Sequence, residues 1–477
     1  MRAPTPLSFL AVPLCVFLAN AALAAEDELT VTGAERTALA LTIYEQNLAL
    51  VQDRRTATLS QGLNRLAIVA VSAQLNPDSV LVAQPTGEPL RLVEQRYVRD
   101  LLTPAALLAA SVGHEVRIAI RDPRTGEDRI EQATVLSAAQ GVVLKIGDRI
   151  ETTLPGRLVF ASVPPDLREK PTLVLSLDNP KGGTLPLELS YLTSGLEWSA
   201  NYVAELAADE TKLALAGRAS VANASGASYP KARITLVAGT LHRVSQAVPL
   251  GGMAARALPM MAAAAPAALP EAQPLSEYYR FSVAREISLG DHETIQLALL
   301  EAPSVPVKKE YRLEDAAPVM RAEASEPTPL KIQVRLSFEN DKSAGLGTPL
   351  PSGDVRIYRR GSDGTLAFLG EDRIDAIAAG RPVRLTLGEA FDVTAERRQT
   401  NAARPSDKSY EASEEITLHN AKDTSVTVTI LESLPGDWRI LEESDPHEKA
   451  SASTARWKLE VPAKGERKLS YRVLSRS

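Results

Sequence analysis

Cysteine is almost absent from this 477-residue chain, in which Cys15 is the single example. Because Cys15 lies in the apolar N-terminal segment, no disulfide is available to the rest of the chain, and thiol nucleophiles and thiolate metal ligands are excluded there. Stability must therefore come from apolar burial, and a chain of this length predicts about three domains with cores of their own.

Aromatic residues are also scarce, at 4% of the chain. Trp198, Trp438 and Trp457 each lie within an alternating polar and apolar pattern, which predicts that they are core residues. An exposed platform of tryptophans for binding sugars is therefore not favoured.

The N-terminal residues predict a cleavable signal peptide. Arg2 precedes the apolar run PLSFLAVPLCVFLANAALA, and the small residues Ala22 and Ala24 place the cleavage after Ala24. The alternative is a membrane anchor, but the run is short, contains Pro13 and is followed by the polar sequence EDE. We therefore expect residues 1–24 to be removed and the mature protein to be periplasmic or secreted.

Charge of one sign does not dominate the chain. The formal net charge is −6, and cleavage would remove Arg2 and no acidic residue, giving −7. This mildly acidic, mixed-sign composition argues against nucleic acid or an anionic membrane as the main partner. No transmembrane segment is expected after cleavage, since the segment MAARALPMMAAAAPAALP is interrupted by Arg256 and by prolines.

Alternation of apolar and polar residues is the main pattern and predicts a mostly β protein built of several Ig-like β-sandwich modules. In the segment VTVTIL, for example, Val426, Val428 and Ile430 share one face while threonines lie on the other. One short helix is predicted at about residues 103–112, where Thr103 suits the N-cap, Pro104 the first helical position and Gly113 the end.

The pattern divides the chain into regions that differ in strand length and composition. Five short strands near residues 113–162 predict a small SH3-like barrel inserted into a larger body, and an Ala- and Pro-rich segment at 250–275 predicts a disordered loop. The predicted regions are a signal peptide (1–24), an N-terminal β region (25–112), the barrel-like insert (113–165), a central β-sandwich region with the loop (166–400) and a C-terminal Ig-like sandwich (401–477).

Two local patterns recur along the chain. Four predicted strands end in asparagine followed by small polar residues, at Asn179, Asn223, Asn340 and Asn420. The last two are followed by similar segments, LPSGDVRIY from Leu350 and LPGDWRI from Leu434. Because asparagine and proline–glycine sequences favour turns, we interpret both patterns as structural repeats, with Val355 and Trp438 in equivalent inward positions.

Several of these segments resemble bacterial envelope proteins that carry domain of unknown function 4139. The resemblance rests on "LPLELSYLTSGLEWSANYVAEL", "PLPSGDVRIYRRGSDGTLAFLGEDRI", "LTLGEAFDVTAERRQT" and "ITLHNAKDTSVTVTILESLPGDWRI". It implies a mostly β architecture and export, and supplies no catalytic residues. Some mucoidy-inhibitor-like relatives have a long helical hairpin near the N-terminus. This sequence has no heptad run there, so no role of that hairpin is implied.

No pattern predicts a catalytic site, a metal site or a cofactor. His114-Glu115 begins like the zinc motif HExxH, but the fifth position is Ile118 and the segment reads as a strand. Ser228 and Lys231 have S-x-x-K spacing, but Pro230 intervenes and a strand follows. Adjacent acids such as Glu442-Glu443 would point to opposite faces of a strand rather than form a catalytic pair.

One polar group remains as a low-ranking contact surface, and it follows the first Leu-Pro segment. We expect cross-strand ion pairs there, with a ligand surface as the alternative. Its residues are Arg356, Arg359, Arg360, Glu371 and Asp372.

The sequence favours an exported, non-catalytic, multi-module β protein that acts through contacts with an envelope protein or as a secreted factor. Two alternatives stay open. One is a hydrolase of envelope polymers with a carboxylate or Ser-Lys site, and the other is carbohydrate binding without catalysis.

The predicted loop gives a direct test. We expect a protease added to the native protein to cut first between Leu250 and Leu275, because a low-complexity segment offers main chain that a folded strand does not. Mass spectrometry of the first fragments would locate the cut, and resistance of this segment would contradict the loop prediction.

Overall fold

The computed structural model describes residues 28–85, 89–99, 101–139, 141–164, 167–242, 269–315, 326–361 and 363–476. The predicted signal peptide and residues 250–268 of the predicted loop lie outside this part of the chain. Within it the protein is mostly β, as predicted, with a short α-helix, α1, at Pro104–Ala110. Thr103 caps α1 by accepting a hydrogen bond from the Ala106 N–H at 3.0 Å.

The strands are numbered along the chain. The first group, β1 to β11, comprises Leu29–Val31, Arg36–Tyr44, Leu48–Leu59, Gly62–Val69, Leu81–Ala83, Arg91–Val98, Glu115–Arg121, Asp128–Ser137, Val143–Ile146, Arg149–Glu151 and Arg157–Val159. The second, β12 to β22, comprises Thr172–Asn179, Gly183–Thr193, Leu196–Leu206, Lys212–Asn223, Tyr229–Ala238, Glu271–Leu275, Tyr278–Ser282, Ile287–Leu289, Glu293–Pro306, Lys308–Asp315 and Thr328–Leu330. The third, β23 to β33, comprises Gln333–Glu339, Gly353–Arg360, Leu366–Ile374, Pro382–Glu389, Val393–Ser406, Ser409–Asn420, Val426–Ser433, Asp437–Glu443, Glu448–Ser451, Thr454–Val461 and Gly465–Arg476. Short 3-10 turns occur at Gly33–Glu35, Pro77–Ser79 and Lys342–Ala344.

The described part of the chain divides into two compact units, the first drawn from residues 28–35, 55–71 and 82–187 and the second from 36–54, 72–81 and 188–476. The first unit contains a four-stranded sheet in the order β1-β4-β12-β6. It also contains a five-stranded antiparallel sheet in the order β10-β9-β8-β7-β11, which spans the predicted insert. That sheet has a core of its own around Ile118, Val135 and Leu144.

The second unit contains most of an eight-stranded sheet, including β17-β18-β16-β2, with β19 beside β16. Its strands β3 and β13 have residues in both units. Because β17 covers Glu271–Leu275 and pairs with β18, the last five residues of the predicted loop are a strand rather than disordered. Tertiary pairing there outweighs a composition that is poor in strand formers.

The remaining sheets also belong to the second unit. One has five strands in the order β20-β15-β14-β24-β25, and two others, β26-β23-β21-β29-β32-β31 and β22-β27-β28-β33-β30, face each other across a shared core. This C-terminal sandwich core already includes Tyr311 and Leu313. The predicted boundary between residues 400 and 401 falls inside β27, so the sandwich starts earlier than the sequence predicts.

The buried faces follow the predicted alternation. In β29 the side chains of Val426, Val428 and Ile430 are buried. Alternate side chains of β32 and β33 are also buried, among them Trp457 and Tyr471. Burying one face of each sheet is what holds two sheets together as a sandwich.

The four strand-ending asparagines are buried, although asparagine is usually exposed. Asn223 and Asn420 each accept a hydrogen bond at 3.0 Å from the main-chain N–H two residues on, and Asn179 does so at 3.4 Å. Asn340 accepts instead from the N–H seven residues on, at 3.0 Å. The Asn420 amide also donates to three main-chain carbonyls at 2.9 to 3.3 Å. The interpretation of these residues as turn formers is confirmed.

Trp438 provides the test of the C-terminal core. Its side chain is 6% exposed, and its indole N–H donates to the Ala452 carbonyl oxygen at 2.7 Å. Trp438→Ala should lower the free energy of unfolding by about 3–5 kcal/mol, because it leaves a large cavity and an unpaired carbonyl. The urea unfolding midpoint measures this, with Asp354→Ala, a change on an exposed strand face, as the control. Equal midpoints for wild type and Trp438→Ala would contradict the packing described here.

Candidate functional site: the β24–β25 contact surface

The candidate surface starts where β24 begins, at Gly353 in the first Leu-Pro segment. Here β24 lies parallel to β14, and a Cβ atom on Gly353 would lie 2.2 Å from the Ala200 carbonyl oxygen. Next to it, the Tyr202 hydroxyl donates to the Pro351 carbonyl oxygen at 2.9 Å. Glycine is therefore required for close approach of the main chains, and this approach fixes the position of β24.

The second Leu-Pro segment uses its glycine differently. Gly436 has φ +67°, a left-handed conformation that favours glycine, whereas the requirement at Gly353 is for space. The flanking leucines are alike, since Leu350 and Leu434 are both buried. The two segments are thus similar turns into strands of different sheets rather than one binding site used twice.

A tight hairpin turn joins β24 to β25. The Gly361 N–H donates to the Thr365 carbonyl oxygen at 2.8 Å, and Gly364 has φ +83°. The Asp363 carboxylate accepts hydrogen bonds from the amide and the hydroxyl of Thr365, which lower its pKa. These contacts are those of a tight turn between two antiparallel strands.

The five predicted surface residues do not form a single cluster. Arg356 and Glu371 are cross-strand neighbours with N and O atoms 3.6 Å apart, as expected. Arg359 lies 3.7 Å from Glu210 instead. The cross-strand prediction therefore holds for one pair.

Arg360 and Asp372 have other partners. Arg360 makes two hydrogen bonds to Glu205 on the neighbouring strand β14, at 2.6 and 3.0 Å. These bonds lower the pKa of the Glu205 carboxyl and raise that of the Arg360 guanidinium. Asp372 accepts from the main-chain N–H of Thr386 in β26 at 2.6 Å. The Arg360–Glu205 contact could not be predicted from local sequence patterns, because Glu205 lies more than 150 residues from Arg360.

An apolar group on the same surface was missed from the sequence. Leu366 and Phe368 of β25 are 50% and 56% exposed, and Phe368 packs against Tyr358 with ring centroids 5.4 Å apart. The alternation in TLAFL was the available signal, but it does not reveal which face of a strand stays uncovered.

The main chain of β25 is also open along part of its length. β25 is the last strand in its sheet, and the register pairs Leu366 with Arg360 and Phe368 with Tyr358. Since the Gly361 N–H bonds the Thr365 carbonyl, these are the non-hydrogen-bonded pairs of an antiparallel ladder, whose main-chain groups point away from the neighbouring strand. The N–H and C=O groups of Leu366 and Phe368 therefore point toward the open edge.

The residues considered for catalysis lie where strands begin. Exposed Ser228 and Lys231 lie at the start of β16, where the Ser228 hydroxyl accepts from the Asp291 N–H at 3.2 Å. His114 precedes β7, which is a strand as predicted. Among the described residues, no group of three or more His, Cys, Asp or Glu side chains could hold a metal ion. No helix within them is long and apolar enough to cross a membrane.

Comparison with known proteins places this surface within a recognised family. Residues 187–476 match the family described as "Domain of unknown function (DUF4139)". Because the match covers more than half of the chain, the protein belongs to that family, and β24 and β25 lie within the matched region. No curated protein matched the sequence.

Gly353→Ala tests whether the close approach of the main chains at Gly353 fixes the position of β24. We expect it to lower the free energy of unfolding by about 1–3 kcal/mol or more, because β24 must move away from Ala200 to admit a methyl group. The urea midpoint is the measurement. The neighbouring change Asp354→Ala removes only an exposed ion pair with Arg373 and should cost less than about 1 kcal/mol. Equal effects of the two changes would contradict the close-approach explanation.

Proposed function

We propose that the protein is an exported, non-catalytic β protein that acts through protein contacts in the cell envelope or as a secreted factor. The contact site is the β24–β25 surface. The observation that carries this proposal is the edge of β25, where exposed Leu366 and Phe368 lie beside main-chain groups that no described strand pairs.

An edge of this kind suits the addition of a strand from a partner. Open edges pair readily with other chains, and natural proteins usually shield them with charges, proline or a covering segment. Here the shielding is incomplete between Leu366 and Phe368. A partner strand would gain main-chain hydrogen bonds and bury two apolar side chains, the two sources of affinity and specificity in strand addition.

The arginines would orient such a partner. Arg360 and Arg356 lie on the same face of β24 as Tyr358, and each already pairs with an acidic side chain. Exposed pairs contribute little stability, so they can exchange partners at small cost. Electrostatic contacts at the rim of an interface add specificity more than affinity.

The two alternatives have less support. Carbohydrate binding without catalysis through a platform of exposed tryptophans has no support, because Trp198, Trp438 and Trp457 are buried. A hydrolase of envelope polymers needs converging carboxylates, or a serine beside a lysine, in a cleft. Glu371 instead pairs with an arginine, and Asp372 accepts from a main-chain amide. Export itself rests on the sequence pattern of residues 1–24.

Photocrosslinking tests the contact site. With benzoylphenylalanine in place of Phe368 of the full-length protein produced in bacterial cells, we expect a discrete crosslinked partner protein. The same crosslinker in place of Ile150, an exposed apolar residue of β10, is the matched control. Adding Leu366→Glu should abolish the crosslink at position 368. A crosslink unaffected by Leu366→Glu, or yields equal to those at position 150, would contradict the proposal.

A further inference from the structure

The chain contains two Asp–Pro peptide bonds, Asp122–Pro123 and Asp445–Pro446. An aspartate carboxylate can attack the main-chain carbonyl carbon of its own residue, because the ring that closes is a five-membered anhydride and no second molecule has to be positioned. Proline favours this attack, since its nitrogen belongs to a tertiary amide without a hydrogen and is protonated more readily as it leaves. The surroundings of each bond decide whether it reacts.

The Asp445–Pro446 bond lies in the connection between β30 and β31, and the chain is fixed on both sides of it. Before the bond, the Ser444 N–H donates to the Ser470 carbonyl oxygen at 2.9 Å, and the Ser444 hydroxyl accepts from the Ser470 N–H at 3.1 Å. After the bond, the His447 N–H donates to a Glu443 carboxylate oxygen at 3.1 Å, and the His447 Nδ1 atom lies 2.9 Å from the same oxygen. The peptide bond is therefore held in one position.

Both reacting groups of Asp445 are bound by fixed neighbours. Its main-chain carbonyl oxygen accepts a hydrogen bond at 3.1 Å from the indole N–H of Trp457, a core residue of β32 that is 1% exposed. Its carboxylate is held on one oxygen by the Arg467 guanidinium of β33 and on the other by the Ser444 hydroxyl at 2.9 Å. A donor on the carbonyl oxygen polarises that carbonyl and stabilises the negative charge that develops during attack.

The Asp122–Pro123 bond has different surroundings, in the turn between β7 and β8. The Asp122 carboxylate accepts from the N–H groups of Arg124 and Thr125 at 2.8 and 3.3 Å, and its carbonyl oxygen accepts from the Gly126 N–H at 2.9 Å. All three donors belong to the turn that directly follows the bond, so they move with the leaving chain. The donors to Asp445 instead include side chains of strands that stay packed in the sandwich core.

We propose that the protein cleaves its own Asp445–Pro446 bond. A carboxylate oxygen of Asp445 bonds to the carbonyl carbon of the same residue, and the bond from that carbon to the Pro446 nitrogen breaks. The nitrogen takes a proton from solvent and leaves as a secondary amine. Water then opens the anhydride and restores both carboxyl groups of Asp445, and the exposed position of Pro446 gives water access. Because each molecule reacts once, the reaction is compatible with a protein that has no catalytic turnover.

The two fragments stay associated after cleavage. Strand β30, before the bond, pairs with β33 after it, and β29 pairs with β32. Both fragments therefore contribute strands to one sandwich core. The product is a nicked molecule in which the first fragment ends at Asp445 and the second comprises residues 446–477 with proline at its new N-terminus.

Intact-mass spectrometry tests this self-cleavage on the purified protein, incubated in mildly acidic buffer to assist protonation of the leaving nitrogen and denatured just before measurement. Native wild type should give the two fragments of the Asp445–Pro446 bond at a rate at least about tenfold above that at Asp122–Pro123, the internal control in the same sample. In protein unfolded by urea at the same pH, both bonds should be cleaved equally slowly, because their surroundings are lost. Hydroxylamine should trap the anhydride as a hydroxamate at Asp445.

Two substitutions assign the reacting groups. Asp445→Asn removes the attacking carboxylate with little change of shape, so it should abolish cleavage there and leave cleavage at Asp122–Pro123 unchanged. Trp457→Phe keeps a ring in the core without the indole N–H and should slow cleavage about tenfold, with the urea midpoint as the check of folding.

Native cleavage at Asp445–Pro446 no faster than at Asp122–Pro123, or as slow as in urea, overturns the proposal. Cleavage of Asp445→Asn at the wild-type rate also overturns it, because another agent must then cut the chain. A wild-type rate in folded Trp457→Phe overturns the role of the indole N–H.

Discussion

The fold depends on satisfying main-chain polar groups where strands end, because no disulfide is available to hold the sheets together. Buried main-chain groups without partners would cost free energy comparable to lost hydrogen bonds. The buried side chain of Asn420 meets this need, since it accepts one main-chain hydrogen bond and donates to three carbonyls of adjoining turns. Asn223 and Asn340 act in the same way at other strand ends. These residues fix the turns from which the Leu-Pro segments and the contact surface follow.

Buried charge adds a second constraint inside the C-terminal sandwich. Glu432 is fully buried, pairs with Arg397 and accepts a hydrogen bond from the Tyr471 hydroxyl at 3.2 Å. Burial and the neighbouring Glu432 charge raise the pKa of Tyr471 well above its ordinary value. Such a pair adds little net stability, but separating its partners would be costly. We infer that it fixes the register between β27, β29 and β33.

Local patterns in the sequence predicted much of this architecture. Alternation identified the strands around Val428, Trp457 and Tyr471, and capping chemistry identified helix α1, because both signals depend on neighbouring residues. The limits of the C-terminal sandwich were not predictable in this way. Tyr311 joins its core through the parallel pairing of β21 with β29, more than 100 residues away, and no local pattern encodes such a pairing.

The candidate site was predictable only in part, for the same reason. The Arg356–Glu371 pair needs both the hairpin turn at Asp363-Gly364 and a one-residue register shift between Ile357 and Tyr358, and the alternating pattern does not predict that shift. The partner of Arg360 lies on β14, and the exposure of Phe368 depends on which strand ends the sheet, so both require the full topology. Burial of Val355 and Trp438 was predicted correctly because each lies inward in its own alternating strand.

The central claim is that β25 presents an open edge to a partner, and hydrogen exchange at single-residue resolution tests it most directly. In the purified protein, the amide hydrogens of Leu366 and Phe368 should exchange rapidly with solvent. The amide of Ala367 between them, which faces Arg359 in the ladder, should be protected. Slow exchange at Leu366 and Phe368 would show that the edge is already covered and would contradict the account.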